Sequence, residues 1–168
     1  MNAPDGPVLI AFDGSAAARE AVAAAARLLK PRRTIVVTVW DAGLAYATAG
    51  TPPDVGMTPS VDPATVLNVD RALHEQAERV SAEGADLARA LELDAEPMAV
   101  VDAGGVAQTI LDLAHDHEAA AIVVGSRGLS GLRARLEGST SKAVSKRASC
   151  PVIVVHESEA GEDAGERG

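Results

Sequence analysis

Five short apolar runs recur along the chain, and segments with helical spacing separate them. The runs are Val8–Phe12, Thr34–Trp40, Glu96–Val101, Ala119–Gly125 and Pro151–Val155. Strands that alternate with helices form a parallel sheet covered on both faces, which is why such strands are apolar throughout rather than at every second residue. Crossovers between parallel strands are right-handed. With five strands, the expected α/β fold is a Rossmann-like, doubly wound parallel sheet of order 3-2-1-4-5, with helices on both faces. In that order the winding reverses between strands one and four, and ligands bind outside the carboxyl ends of the strands at the reversal. Asp13 follows the first strand and Gly125 ends the fourth, so the two are expected as neighbours across the crevice.

The helical segments are legible from spacing and punctuation. Ala16 to Lys30 is alanine-rich and Pro31 stops it. From Ala64 to Glu92, Leu73, Ala77, Val80, Gly84, Leu87 and Leu91 recur at spacings of four and three and predict one apolar face. Val106, Ile110, Leu113 and Ala114 mark a shorter helix after the turn Asp102-Ala103-Gly104-Gly105. The last helix is expected from about Leu136 to Arg147. Residues 42–62 carry Gly43, Gly50, Pro52, Pro53, Gly56 and Pro59 and sustain no helix. They are expected to be a flexible insertion leaving the carboxyl end of strand two, either a cover for a ligand there or a surface loop. Residues 157–168 are acidic and lack apolar periodicity, so a disordered tail is expected.

Between the fourth strand and the last helix lies Gly125-Ser126-Arg127-Gly128, with Gly138-Ser139-Thr140-Ser141 following. Glycines let backbone amides approach an anion without an intervening Cβ, and a helix start adds unpaired N–H donors. A tight turn with a helix cap would use the same glycines. The segment 125–150 holds six basic side chains, Arg127, Arg133, Arg135, Lys142, Lys146 and Arg147, against the single acid Glu137, while the whole chain carries a net charge of −9. A cationic segment on an acidic protein suits a small polyanion. Neither G-x-x-x-x-G-K-[ST] nor G-x-G-x-x-G after the first strand occurs. Asp13 could bond a ribose or base, or it could cap the helix with Ser15. Val39 could supply an apolar wall for a purine.

Several function classes are disfavoured. Aromatic residues are 2% of the chain, too few for stacking platforms on single-stranded nucleic acid. The acidic balance argues against nucleic acid and anionic membranes. Cys150 is the one cysteine, so no internal disulfide forms, and a buried filler role is expected. His115 and His117 do not share a helix face and His74 and His156 stand alone, so no metal site is expected. Nothing at the start of the chain resembles a signal peptide and no apolar run has membrane-span length, so a cytoplasmic protein is expected.

The spacing G-x2-G-x9-G-[ST] over Gly125, Gly128, Gly138 and Ser139 resembles the ATP-binding signature of the universal stress protein family. The resemblance runs from Val8 to Val155 and includes Asp13-Gly14-Ser15 and Cys150-Pro151-Val152-Ile153-Val154-Val155. It implies one domain over residues 1–156 and a regulatory, stress-response binding module for an adenine nucleotide, ATP with or without Mg2+. AMP or cyclic AMP is the alternative ligand. A nucleotide-free dimeric scaffold and a slow ATP hydrolase are the alternative functions. By resemblance, Asp13 contacts the nucleoside and Val39 the adenine, with Ala11 and Val124 as further lining. Gly125, Gly128, Gly138 and Ser139 match the phosphate positions, flanked by Ser126 and Arg127. Thr140 stands where the family often has valine, and its backbone is expected to serve. Family members generally dimerise, often through the last strand, here Pro151 to Val155. No side chain is placed as a base to activate water, so catalysis is not indicated beyond weak ATP hydrolysis or transfer to Ser139, Thr140 or Ser141.

Overall fold

The structure is a computed structural model, and it describes residues 5–29, 32–42, 63–126 and 139–156. Its five strands are β1 (Val8–Ala11), β2 (Arg33–Trp40), β3 (Asp94–Val101), β4 (Ala121–Gly125) and β5 (Val152–Val155). All pairings are parallel, in the order β3-β2-β1-β4-β5. The expected architecture is the observed one. The helices are α1 (Ala16–Leu28), α2 (Pro63–Ala90), α3 (Val106–Asp116) and α4 (Ser139–Arg147).

Alternation along the central strands builds two core layers. Val8 and Ile10 of β1, Val36 of β2 and Val123 of β4 pack with Ala18, Ala21, Val22 and Ala25 of α1 and with Ala85 and Ala88 of α2. On the other face Leu9, Ile35, Val37, Ile122 and Val124 pack with Ile110 and Ala114 of α3 and Val144 of α4. Apolar side chains therefore leave water on both faces of β1, β2 and β4, each gaining about 1.5–3 kcal/mol where burial is complete. Alanine dominates the buried face of α1, and small side chains let that helix lie close to the sheet.

The start of α1 is fixed locally. Asp13 Oδ1 accepts from Ser15 N–H at 2.9 Å, and Ser15 Oγ accepts from Ala18 N–H at 3.1 Å. Between them Gly14 has φ +81°, a left-handed turn that suits glycine. At the end of β3, Asp102 Oδ1 accepts from the N–H groups of Gly104 at 3.1 Å and Gly105 at 2.6 Å and from the Thr109 hydroxyl at 3.1 Å. Burial alone would raise the Asp102 carboxyl, but these three donors outweigh it and hold the group below its ordinary value.

Two expectations, at Leu91 and at Cys150, are corrected. Of the expected apolar face, Ala77 and Gly84 are buried and Val80 and Leu87 pack against the core, joined by the buried Ser81, Ala85 and Ala88, whereas Leu91 is 46% exposed. Leu91 misses the core because α2 ends at Ala90 and Glu92, at φ +65°, turns the chain in a left-handed cap. That cap sends Leu93 back to Ala88 O, where Leu93 is buried. Cys150 is only half-buried beside the second core layer, and burial pushes its thiol above its ordinary value. The expected insertion at 42–62 and the acidic tail at 157–168 lie, apart from Ala42, outside the described residues.

Candidate functional site

Register brings the proposed residues from β1, β2 and β4 to one sheet edge. Ile10 pairs with Val123 and Ala11 with Val37. Val39 lies two residues past Val37 in β2 and Val124 one residue past Val123 in β4, so Ala11, Val39 and Val124 stand at the carboxyl ends of adjacent strands, and Asp13 follows two residues after β1. Ala11 and Val39 pack against the same core layer as Val124, on the face covered by α3 and α4. The strand end beneath Asp13 is anchored: Phe12 N–H donates to Val37 O at 2.8 Å, and the buried Thr38 hydroxyl donates to Phe12 O at 2.8 Å. Asp13 itself is half-buried and turned into the α1 cap through Oδ1. The helix cap is Ser15, and Asp13 supports it from outside the helix by accepting from the Ser15 N–H.

Gly125 has a reason in the fold. A Cβ there would stand 2.8 Å from the Ala17 carbonyl carbon and 3.0 Å from Ala17 O and Cβ. The absent side chain lets the first turn of α1 close on the end of β4. Two helix starts flank this edge in the chain: α1 after Asp13-Gly14-Ser15, and α4, which begins at Ser139 and Thr140. The first N–H groups of a helix have no partner within the helix, and in α1 one of them, that of Ala18, donates to Ser15 Oγ. Neither first turn contains an acid, and α4 carries Lys146 and Arg147 in its last turn. Ser126 is buried and its N–H donates to Val155 O at 2.8 Å, so that amide is committed to the sheet. Arg127, Gly128 and Gly138 lie outside the described residues.

Sequence reasoning treated Trp40 as the end of a strand and His74 as isolated. The structure brings them together at the carboxyl end of β2, ring centroids 5.3 Å apart and planes at 47°. Trp40 Nε1 and His74 Nδ1 are both shielded from solvent and have no hydrogen-bond partner among the described residues. No spacing signal links two residues so far apart in the chain. Among the described residues no group of three His, Cys, Asp or Glu side chains could hold a metal ion, and no helix is long and apolar enough to cross a membrane.

The universal stress protein family profile matches residues 6–156. A universal stress protein of Bacillus subtilis, YxiE, is 29% identical over 159 residues, covering 88% of this chain and 97% of its own. The solved universal stress protein UspA of Lactobacillus plantarum superposes with TM-score 0.65 at 24% identity, covering 92% of this chain and 99% of its own. A solved universal stress protein in complex with cAMP gives TM-score 0.60 at 26% identity, over 94% of this chain and 100% of that one. Sheet order, the turn that closes on α1 and the family match over almost the whole length agree: the chain belongs to the universal stress protein family.

Proposed function

We propose that this protein binds an adenine nucleotide, ATP in the first place, and acts in the cytoplasm as a regulatory module rather than as an enzyme. The observation that supports the reading is that Ala11, Val39 and Val124, at the carboxyl ends of β1, β2 and β4, pack on one core layer beside the winding reversal between β1 and β4. The residues fit the ligand by type. Ala11, Val39 and Val124 offer apolar surface to a purine, and Asp13 offers an acceptor to ribose hydroxyls. The first-turn amides of α4, at Ser139 and Thr140, offer donors to phosphate oxygens, together with Gly125, Arg127, Gly128 and Gly138. A bound Mg2+ would draw its remaining ligands from phosphate and water.

A ligand with a single phosphate is the second reading, favoured by the cAMP complex of the relative at 26% identity. Calorimetric titration with ATP, ADP, AMP and cyclic AMP separates the two and is expected to give heat with at least one. Gly128→Val should weaken the binding while leaving the circular dichroism spectrum unchanged. No heat with any of the four overturns the proposal and leaves a nucleotide-free scaffold. The half-buried apolar edge strand Val152–Val155 supports a homodimer formed through Pro151 to Val155. Sedimentation equilibrium reads it directly, and a monomer at high concentration would refute it.

A further inference from the structure

β3 ends the sheet on one side and β5 on the other. An end strand turns a row of N–H and C=O groups outward, where a second chain can pair with them. The ladder tells which residues do so. In a parallel pair, a residue with both main-chain groups toward its neighbour alternates with one that turns both away. Asp102 N–H donates to Trp40 O, and β3 pairs with β2 residue by residue from Asp94 with Arg33 to Val101 with Trp40. The even-numbered residues of β3 therefore face β2, and Ala95, Pro97, Ala99 and Val101 turn their main chain outward. On the other side Ile122 N–H donates to Pro151 O and Ser126 N–H to Val155 O, so Val152 and Val154 are the outward residues of β5.

The two ends of the sheet differ in what they offer. Val152 and Val154 each carry an N–H donor. On β3 the exposed Pro97 has none, and its ring stands where the donor would be. The missing donor costs the ladder nothing, because it points away from β2. Two residues earlier the outward carbonyl is taken: Arg89 Nε–H donates to Ala95 O at 2.8 Å. The guanidinium is held in place from its other side, where Nη1 donates to Asp86 Oδ1 at 2.7 Å. The left-handed turn at Glu92 allows this contact, because it brings β3 back beside the last turn of α2. Arg89 and Pro97 thus obstruct the first half of the strand. Ala99 and Val101 remain, about 7 Å apart, too short a stretch for a ladder of its own.

We infer that Arg89 and Pro97 close the outer side of β3 to strand addition, so that a second copy of this chain can extend the sheet at β5 only. A copy open on both sides would take on another at each, and the assembly would not close. The inference rests on the homodimer reading above for the pairing at β5, and on β3 alone for the closure.

Sedimentation velocity of the full chain over a range of concentrations tests it. Pro97→Thr returns an outward N–H on a residue type suited to strands. Arg89→Ala frees the Ala95 carbonyl and keeps a good helix former in the last turn of α2. The double variant is expected to show at least twice the wild-type weight-average mass at the highest concentration. Ala99→Pro, added to the double variant, withdraws an outward donor and should return the mass to the wild-type value. An unchanged mass in the double variant overturns the inference. Association that survives Ala99→Pro overturns it too, since the contact then lies elsewhere. The wild-type mass by itself reads the homodimer: a wild-type monomer refutes pairing at β5 and leaves the comparison between wild type and variant in force. If loss of Arg89 prevents folding, Pro97→Thr alone decides, because the main chain at position 97 faces away from β2.

Discussion

Gly125→Ala separates two roles that one glycine can hold. If Gly125 mattered only as an open approach for phosphate, alanine would be harmless to the fold. Its φ is not in the left-handed region, and replacing a strand glycine by alanine gains about 0.5–1 kcal/mol. The structure predicts the opposite sign. The new Cβ would stand 2.8 Å from the Ala17 carbonyl carbon, which is backbone and has no rotamer to escape through. The first turn of α1 must move, and Ala17, Ala18 and Ala21 are all buried against the sheet. Overpacking of this kind costs about 1–3 kcal/mol. Set against the backbone gain of about 0.5–1 kcal/mol, a net loss of up to about 2 kcal/mol remains. For a chain of this size each kcal/mol moves the thermal midpoint by about 2–4 °C. Urea unfolding followed by far-ultraviolet circular dichroism, with a thermal scan beside it, measures the change. A midpoint that stays or rises would refute the packing argument and return Gly125 to the ligand alone.

Asp102→Asn should remove a pH dependence from stability. The folded carboxyl titrates below its ordinary value of 3.8, so its contribution is complete above that value and fades as pH falls through the lower folded one. Wild type should thus lose stability relative to the variant below about pH 4, measured as the gap between urea midpoints from pH 7 to pH 3; a constant gap counts against the three-donor cap. Glu92→Gly should raise stability by up to about 1 kcal/mol, because Glu92 holds φ +65° where glycine rests without strain. A lower urea midpoint would contradict that.

The fold was legible because its strands are written in one alphabet. Val8-Leu9-Ile10 and Ile122-Val123-Val124 are apolar at every position, which only a sheet covered on both faces requires. Pro31 and the turn Asp102-Ala103-Gly104-Gly105 punctuated the rest. The end of α2 was not legible, because a glutamate occupies the left-handed position where glycine would have announced the stop. The strand order that frames the candidate site was legible, and with it the neighbouring carboxyl ends of β1, β2 and β4 where Ala11, Val39 and Val124 stand. Its side-chain detail was not. Ser126 looks like a free amide in a glycine-rich turn, yet β5 claims that N–H. Trp40 and His74 belong to elements whose relative placement depends on how closely α2 can approach the sheet, and no local pattern encodes that distance.

That approach is itself set by one residue. A Cβ on Gly84 would stand 2.7 Å from the Phe12 ring and 2.8 Å from Val36 Cγ1, and both neighbours are buried. In the interior of a helix alanine is favoured over glycine by about 0.8–1.0 kcal/mol. Overpacking against two fixed side chains costs about 1–3 kcal/mol. The balance for Gly84→Ala is therefore a small loss, from about zero to 2 kcal/mol. Geometry should change more than stability. A helix pushed outward at the level of Phe12 pivots, and its far end moves most. His74 lies ten residues toward that end and should withdraw from Trp40. The tryptophan emission of Gly84→Ala should then depart from wild type in native buffer, because the ring contact with His74 is lost. An unchanged emission together with a raised unfolding midpoint would mean that the core yields around the new methyl group. The position of α2 would then owe nothing to Gly84.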